Sequence, residues 1–375
     1  MNKYRIHLLG LPNAPTTKAY SLDGFAMATM RFAKLLKMLG HHVTLYGAEG
    51  NEAPCDEFVS IISEKDRIHL LGNDQYQYAA MNGNYPLWAL ANPRMIEEIA
   101  KRKQPRDFIC TIGGTSQQVV CDAHPDLLSV EYSIGYVSSF SKYRVYESHA
   151  WRHATHGFQN DWQGRFFDTV IPLFFDKNEF TFRKDKEPFA LYVGRLTARK
   201  GLVIACQSAQ AAGVPLKIIG HGDTNLVTHG AEFIGTLSME ERNDYMSRAQ
   251  CLICPTQYIE PFGSIAVEAQ MCGTPVIATN FGGFTETVEN GKTGYLENYL
   301  GGFANAIHNS KHLDHEYIRN RAIAKYSIES LSEDYQKYFD RLNMLWADGW
   351  NTVDASLKKN ILPEPPGRID LVSPI

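Results

Sequence analysis

At 375 residues the chain exceeds one ordinary domain and fits two, each long enough to enclose its own core. Apolar residues make up 44% and charged residues 21%, a globular balance that excludes disordered and fibrous classes. The net charge of −4 offers no global attraction to polyanions, so a nucleic-acid or membrane partner would need a local patch.

The apolar run at 4–11 is too short for a signal peptide and suits a first strand, followed by a Pro/Thr-rich loop at 12–20. Phe25, Ala28, Phe32, Leu35, Leu36 and Leu39 then recur at helical spacing, with Asp23 as N-cap and Gly40 as stop. A second apolar run at 43–46 completes a strand–helix–strand unit whose glycine-containing loop enters a helix N-terminus. Weaker alternations follow at 58–62 and 68–71. A helix around 94–103 comes next, then a strand at 108–112 ending in Gly113-Gly114, a short strand at 127–130 and a closing strand at 170–173.

Residues 176–188 are dense in charge (Asp176, Lys177, Glu179, Arg183, Lys184, Asp185, Lys186) and read as a solvated linker. The pattern then restarts: strand 189–193, loop 194–201, helix 202–212, strand 215–219, strand 233–234, helix 239–248, strand 251–255, helix 264–271 and strand 275–278. Strands alternating with helices of about 10 residues imply parallel sheets with helices on both faces. The expected organisation is an N-terminal Rossmann-like domain at 1–175, a linker at 176–188, a second Rossmann-like domain at 189–345, and a tail at 346–375 placed to return to the first domain. Residues 317–346 read as helix and 360–375 as extended. Two such domains leave a cleft between the carboxyl ends of their sheets, the default place for a ligand.

Seven cysteines, scattered through apolar runs, argue against a disulfide framework and for a reducing compartment. Cys251 and Cys254 form a formal CxxC, but on a strand residues three apart point to opposite faces and cannot share a metal. Without a run of about 18 apolar residues, no membrane span is expected, and the location expected is cytoplasmic.

The most informative segment is Glu260-Pro261-Phe262-Gly263-Ser264-Ile265-Ala266-Val267-Glu268. Pro261 biases Glu260 towards extended backbone, which projects its carboxylate from a strand tip. A helix starting at Gly263-Ser264 puts free N–H groups and the positive dipole end beside it, an anion site. Glu268, about one turn further on, can accept two hydrogen bonds from a vicinal diol such as a ribose. Arg195 and Lys200 follow the first strand of the same half; a guanidinium fork and an ammonium there suit a diphosphate, whereas Arg199 reads as solvated.

The run from 192 to 296 resembles the donor-binding domain of family 4 glycosyltransferases, enzymes of the α/β GT-B fold, in which two tandem Rossmann-like domains face each other across a cleft. The matching elements are VGRL…KG, IIGHGD, the E-x7-E of EPFGSIAVE, GTPVIATNFGG and ENGKTGYL; Val170-Ile171-Pro172 extends the likeness upstream. The resemblance assigns Arg195 and Lys200 to the donor diphosphate and Glu260 to the sugar hydroxyls and the anomeric charge. It assigns the backbone around Phe262, Gly263, Ser264 and Ile265 to phosphate and sugar, Glu268 to the ribose, and Gly24 to an approach to the phosphates. It implies sugar transfer with retention of anomeric configuration. The expected donor is a GDP- or UDP-sugar, with no other cofactor and no metal.

Many relatives carry a histidine after an N-domain strand, near the reacting centre. Here the strand at 127–130 is followed by Glu131, the candidate replacement. His149 and His153 would share a helix face, as a cleft lining, an ordinary helix pair or a metal half-site without a third ligand. Lys101-Arg102-Lys103 with Arg106 is a candidate contact to anionic lipid or nucleic acid, against the simpler reading of cations at a helix C-terminus; the nucleic-acid signal is weak. The expected partners are a nucleotide-sugar donor and a glycan, lipid-linked or small-molecule acceptor. A nucleotide-sugar epimerase or phosphorylase-like enzyme, and a non-catalytic nucleotide-sugar-binding subunit, are the alternatives.

Overall fold

A computed structural model describes residues 2–72 and 85–345. Its first half is a seven-stranded sheet of β1 (Arg5–Leu9), β2 (His42–Ala48), β3 (Glu57–Ile62), β4 (Phe108–Thr111), β5 (Leu128–Ile134), β6 (Tyr143–Tyr146) and β7 (Thr169–Val170). The strand order is β3-β2-β1-β4-β5-β6-β7, and every neighbouring pair is parallel. Its helices are α1 (Gly24–Met38), α2 (Glu64–Leu71), α3 (Pro86–Arg102), α4 (Gln118–Asp122) and α5 (His149–Phe158).

The second half repeats the plan with β8 (Glu187–Val193), β9 (Leu216–Ile219), β10 (Glu232–Gly235), β11 (Ala249–Cys254), β12 (Val276–Thr279) and β13 (Gly294–Glu297). These are ordered β10-β9-β8-β11-β12-β13, again all parallel. The helices here are α6 (Leu202–Ala212), α7 (Met239–Arg248), α8 (Ser264–Met271), α9 (Phe284–Thr287), α10 (Leu300–Ser310) and α11 (His315–Tyr326), with α12 (Ile328–Asn343) last.

Each sheet is buried on both faces, which is why its strands read as continuous apolar runs. In β1, Ile6 and Leu8 enter one core and Leu9 the other. In β8, Leu191 and Val193 face one core while Ala190 and Tyr192 face its opposite. Cys251 and Cys254 obey the same alternation and lie in different cores, both as free thiols. Asp23 caps α1 as expected, accepting from the Phe25 and Ala26 N–H groups.

Several expectations give way. Residues 68–71 belong to a helix, because the Ser63 hydroxyl accepts from the Asp66 N–H and starts α2. The helix expected from 94 begins at Pro86, since Leu87, Trp88 and Ala91 continue the buried face of Met95 and Ile99 across Pro93. Strand β6 is unforeseen. The linker is only partly solvated: the Lys186 ammonium donates to Ser247 O (2.8 Å), Cys272 O (3.1 Å) and Thr274 Oγ1 (3.0 Å), and Phe180 is buried.

The largest difference concerns the end of the described chain. The helix expected at 317–346 breaks at Ser327, whose backbone is extended and whose hydroxyl accepts from the Ser330 N–H to start α12. Helix α11 packs on α8, but Leu331, Tyr335, Tyr338, Phe339 and Leu342 of α12 enter the first domain's core. The second packing unit therefore stops near Tyr326 rather than at 345. The chain crosses between domains twice, and the crossings pair: Phe175 N donates to Tyr326 O (2.8 Å) and Ile328 N to Phe175 O (3.0 Å). The tail at 346–375 lies outside the described residues.

Candidate active site

Strand order reverses between β8 and β11, so the loops leaving these two neighbours diverge and open a crevice at their carboxyl ends. The loop after β8 carries Arg195, Arg199 and Lys200; the loop after β11 carries Tyr258, Glu260 and the start of α8. Opposite them the first domain supplies Gly24 and Phe25 at the start of α1, Gly135 after β5, Glu147 after β6 and Trp151 on α5. Together they line a cavity of about 640 Å³.

Lys200 Nζ donates to Glu260 Oε2 at 2.7 Å, and it lies 5.0 Å from the centre of the Tyr258 ring. Burial works against the Lys200 charge, but Glu260 and Tyr258 outweigh it and hold the ammonium above its usual range. Arg195 is exposed at the cavity wall. Arg199, expected to be solvated, also lines the cavity, with its guanidinium 4.4 Å from the Tyr258 ring.

Two glycines allow this approach. Gly201 has φ +75°, and a Cβ there would sit 1.9 Å from Pro255 O, so only glycine lets the loops after β8 and β11 touch. Gly263 has φ +85°, and a Cβ there would meet the Phe284 ring at 2.5 Å. It is the N-cap of α8 and brings no side-chain hydrogen bond; the Ala266 N–H turns back to Gly263 O (2.9 Å), which leaves the Ser264 and Ile265 N–H groups without an intrahelical acceptor. Phe262, Gly263, Ser264 and Ile265 all line the cavity with Glu260. His221 and Thr236 line it as well.

Glu268 is near but not in the same space. It lines an adjoining pocket of about 170 Å³ that shares Gly24, Ala28, Ser264 and Ile265 with the main cavity. Its Oε1 lies 3.4 Å from Arg31 Nη2, and the Arg31 guanidinium stacks 4.3 Å from the Phe175 ring. Sequence reasoning missed Arg31, a lone cation on the otherwise buried face of α1.

Glu131 does not reach the cleft, contrary to expectation. Strand β5 runs on to Ile134, so Glu131 falls in mid-strand and is fully buried. It accepts from the Phe140 N–H (2.8 Å), the Ser141 N–H (2.7 Å) and the Tyr136 hydroxyl (3.1 Å), which fixes the turn into β6. Burial still raises its pKa, against the pull of these bonds.

The carboxyl that does face the cavity from the first domain is Glu147. Burial, then the charge of Glu260, pushes its pKa up to about 8. The next residue, Ser148, caps α5 and donates from its hydroxyl to Pro261 O, across the cleft. Glu286, from the second domain, accepts from the His149 N–H (3.0 Å) and the Ala150 N–H (2.8 Å), so its charge sits on the positive end of α5. The unforeseen β6 is what places Glu147 and Ser148, whereas Glu286 comes from α9; the four-residue strand is too short a signal for the sequence to fix where they stand.

His149 and His153 share a face of α5, with ring centres 6.5 Å apart, and among the described residues no group of three His, Cys, Asp or Glu is arranged around a metal site. The basic cluster is locally paired: Lys101 with Glu97 and Glu98, Arg102 with Glu57 and Glu98, Lys103 with Asp126. Arg106 donates to Asn343 O. Among the described residues, no helix is long and apolar enough to cross a membrane.

Fold and cleft together define a two-domain GT-B architecture whose second-domain wall carries cations and a helix N-terminus. Residues 174–299 match the family described as "Glycosyl transferases group 1", so the likeness to family 4 glycosyltransferases holds in this region. Glycogen synthase of Mycobacterium tuberculosis is 35% identical over 119 residues, which is 28% of this chain and 28% of that protein. This chain thus matches less than a third of that relative's length. Over the whole fold, the glycosyltransferase AviGT4, involved in avilamycin A biosynthesis, superposes with a TM-score of 0.67 at 21% identity, covering 91% of this chain and 98% of that one. Anabaena HepE, solved with UDP and glucose, gives 0.64 at 16% identity, covering 90% and 100%.

Proposed function

We propose that the cleft transfers a sugar from a nucleoside diphosphate to an acceptor hydroxyl, with retention of configuration and without a metal. The observation that carries this reading is the Lys200–Glu260 pair set against the uncapped start of α8 in a 640 Å³ cavity. A leaving diphosphate gains negative charge; Arg195, Lys200 and the N–H groups at Ser264 and Ile265 line one cavity and are the donors that would receive it. Those cations supply the charge neutralisation that a divalent ion supplies in other transferases, which supports metal-independent transfer.

In this scheme Glu260 accepts from the sugar hydroxyls, and its carboxylate stabilises the cationic character that develops at the anomeric carbon. Glu268 takes the ribose once Arg31 yields it. Gly24, without a side chain, lets the start of α1 come close to the phosphates. Retention follows if the acceptor hydroxyl attacks from the face the diphosphate leaves. The HepE complex with UDP supports a uridine donor, with a guanosine donor as the other candidate.

The test incubates the protein with a panel of nucleotide sugars, with and without acceptors and with and without a chelator, and follows nucleoside diphosphate release. Release that survives chelation, with a product of unchanged anomeric configuration, is the expected result. Binding of a donor without release under any condition would replace this reading with a non-catalytic subunit, and sugar isomerised in place with an epimerase.

A further inference from the structure

The first domain offers the cleft a second carboxyl whose surroundings differ from those of Glu260. Glu147 follows β6 directly, and its backbone N–H donates to Ile134 O, which anchors it to the end of β5. Its carboxyl packs on Gly135: a Cβ there would come within 2.8 to 3.1 Å of the carboxyl atoms. Glycine at 135 is therefore what makes room for the group. The residue is 9% exposed, and what exposure it has is to the cavity.

Glu260 has Lys200 as its ion-pair partner. Glu147 has no such cation among the described residues within salt-bridge distance, and it faces Glu260 instead. The two carboxyls share one cavity and only Glu260 has a cation beside it, so burial and the Glu260 charge push Glu147 towards its neutral form. Tyr335 from α12 feels its charge, and the cavity that Glu147 lines also holds the titratable side chains of Tyr192, Arg195, Arg199, Lys200, His221, Arg242 and Tyr258; α1 and the turn after β5 present Phe25 and Gly135. Tyr335, Tyr258 and Lys200 are all held above their usual ranges.

We propose that Glu147 is a substrate-contacting residue of the cleft, a neutral carboxylic acid whose O–H donates a hydrogen bond to an oxygen of the transferred sugar opposite Glu260. This rests on the glycosyltransferase reading. The ion-paired Glu260 accepts from the sugar and the protonated Glu147 donates to it, so the two carboxyls grip complementary lone pairs and protons of one ring. Deprotonation would set two carboxylates against each other across the sugar and remove the donor.

The experiment measures kcat/KM for an identified donor across neutral to alkaline pH for wild type, Glu147→Gln and Glu147→Ala. Wild type is expected to lose activity as pH rises through about 8. Glu147→Gln keeps a neutral donor and is expected to stay within about threefold of the wild-type maximum without that fall. Glu147→Ala is expected to drop about 10²-fold at every pH. A transfer-competent wild type whose alkaline fall persists in Glu147→Gln, or a Gln variant as slow as the Ala variant, overturns the proposal alone. A wild type that transfers no sugar from any donor overturns the glycosyltransferase reading and this proposal with it. Carbon-13 NMR titration of labelled glutamate carboxyls, with Glu147→Gln identifying the resonance, reads the group without turnover. A midpoint near 8 that shifts on adding the donor supports the assignment, and one in the ordinary glutamate range overturns it.

Discussion

Lys200 and Glu260 meet at 2.7 Å although they stand 60 residues apart, because β8 and β11 are adjacent strands whose loops diverge at a reversal of strand order. The pair balances itself: the carboxylate keeps the ammonium charged, and the ammonium keeps the carboxylate accompanied in a largely buried place. Under the proposed function, a donor sugar entering there would exchange part of that pairing for hydroxyl and phosphate contacts. Glu260→Ala is expected to lower kcat by about 10²-fold or more while donor Kd changes by less than about tenfold, since its contribution grows as charge develops. Calorimetric donor binding beside steady-state release checks this; equal losses in both would mean that Glu260 serves ground-state binding only.

Glu268 poses the opposite case. Arg31 on α1 holds it at 3.4 Å, so under the proposed assignment ribose binding would have to compete with an interdomain ion pair. Glu268→Ala is expected to weaken donor binding by roughly tenfold with kcat nearly unchanged, the loss of about one charge-assisted hydrogen bond. Arg31→Ala should do the reverse and tighten the donor. If both variants weaken it alike, Arg31 is itself a donor ligand and the competition does not exist.

Gly201 tests the geometry rather than the chemistry. Alanine at this position needs a left-handed backbone, and its Cβ would lie 1.9 Å from Pro255 O. The backbone conformation alone costs on the order of 1 kcal/mol, and relief of the clash must push the two loops apart. Gly201→Ala is expected to lower the urea midpoint and to depress turnover with it. Full activity in this variant would mean that the approach of the two loops is not needed for the site.

The donor half was legible because its chemistry sits in contiguous strings. Glu260 through Glu268 runs from the loop after β11 into the start of α8, and Gly194 through Gly201 is the loop after β8, so each string could be read by itself and the family resemblance joined the two. The first domain's share was not, for two reasons. Its strand β6 is four residues long, and the boundary of β5 decided whether Glu131 or a later residue would face the cleft. A strand three residues longer than expected moved the assignment from Glu131 to Glu147. Arg31 and α12 were hidden differently: each looks like an ordinary part of an amphipathic helix, and only the partner across the domain boundary gives it meaning.

Glu147 also makes stability depend on pH. Folding raises its pKa from 4.5 to about 8, so between those values the folded state keeps a proton that the unfolded chain has released. The stabilisation from that retained proton is complete below the unfolded value and is lost as pH rises through the folded one. Over the whole interval it amounts to roughly 3–5 kcal/mol. Other buried acids, among them Glu131 and Asp168, are shifted the same way, so the comparison has to be differential. The melting temperature of wild type is expected to fall relative to that of Glu147→Gln between pH 5 and pH 8 (approximate limits of the window). Parallel melting curves across that window would show that Glu147 ionises normally in the fold.

The crossing helix offers a test of how the domains are tied. Phe339 is fully buried in the first domain's core, with ring centres 5.1 Å from Phe108, 6.0 Å from His41 and 6.2 Å from Tyr4. It belongs in sequence to the end of the second half and in packing to the first. Phe339→Ala leaves a cavity there and is expected to cost about 3–5 kcal/mol. In a Trp346→Phe, Trp350→Phe background the remaining tryptophans, Trp88, Trp151 and Trp162, all lie in the first domain, so fluorescence reports on its unfolding, whereas far-ultraviolet circular dichroism reports on both domains. The fluorescence midpoint in urea should therefore move down, with a dichroism phase persisting at higher urea where the second domain stands alone. A variant whose fluorescence midpoint stays at the wild-type value would mean that α12 adds little to the first domain, and that the crossing at Ser327 is a tether rather than part of its core.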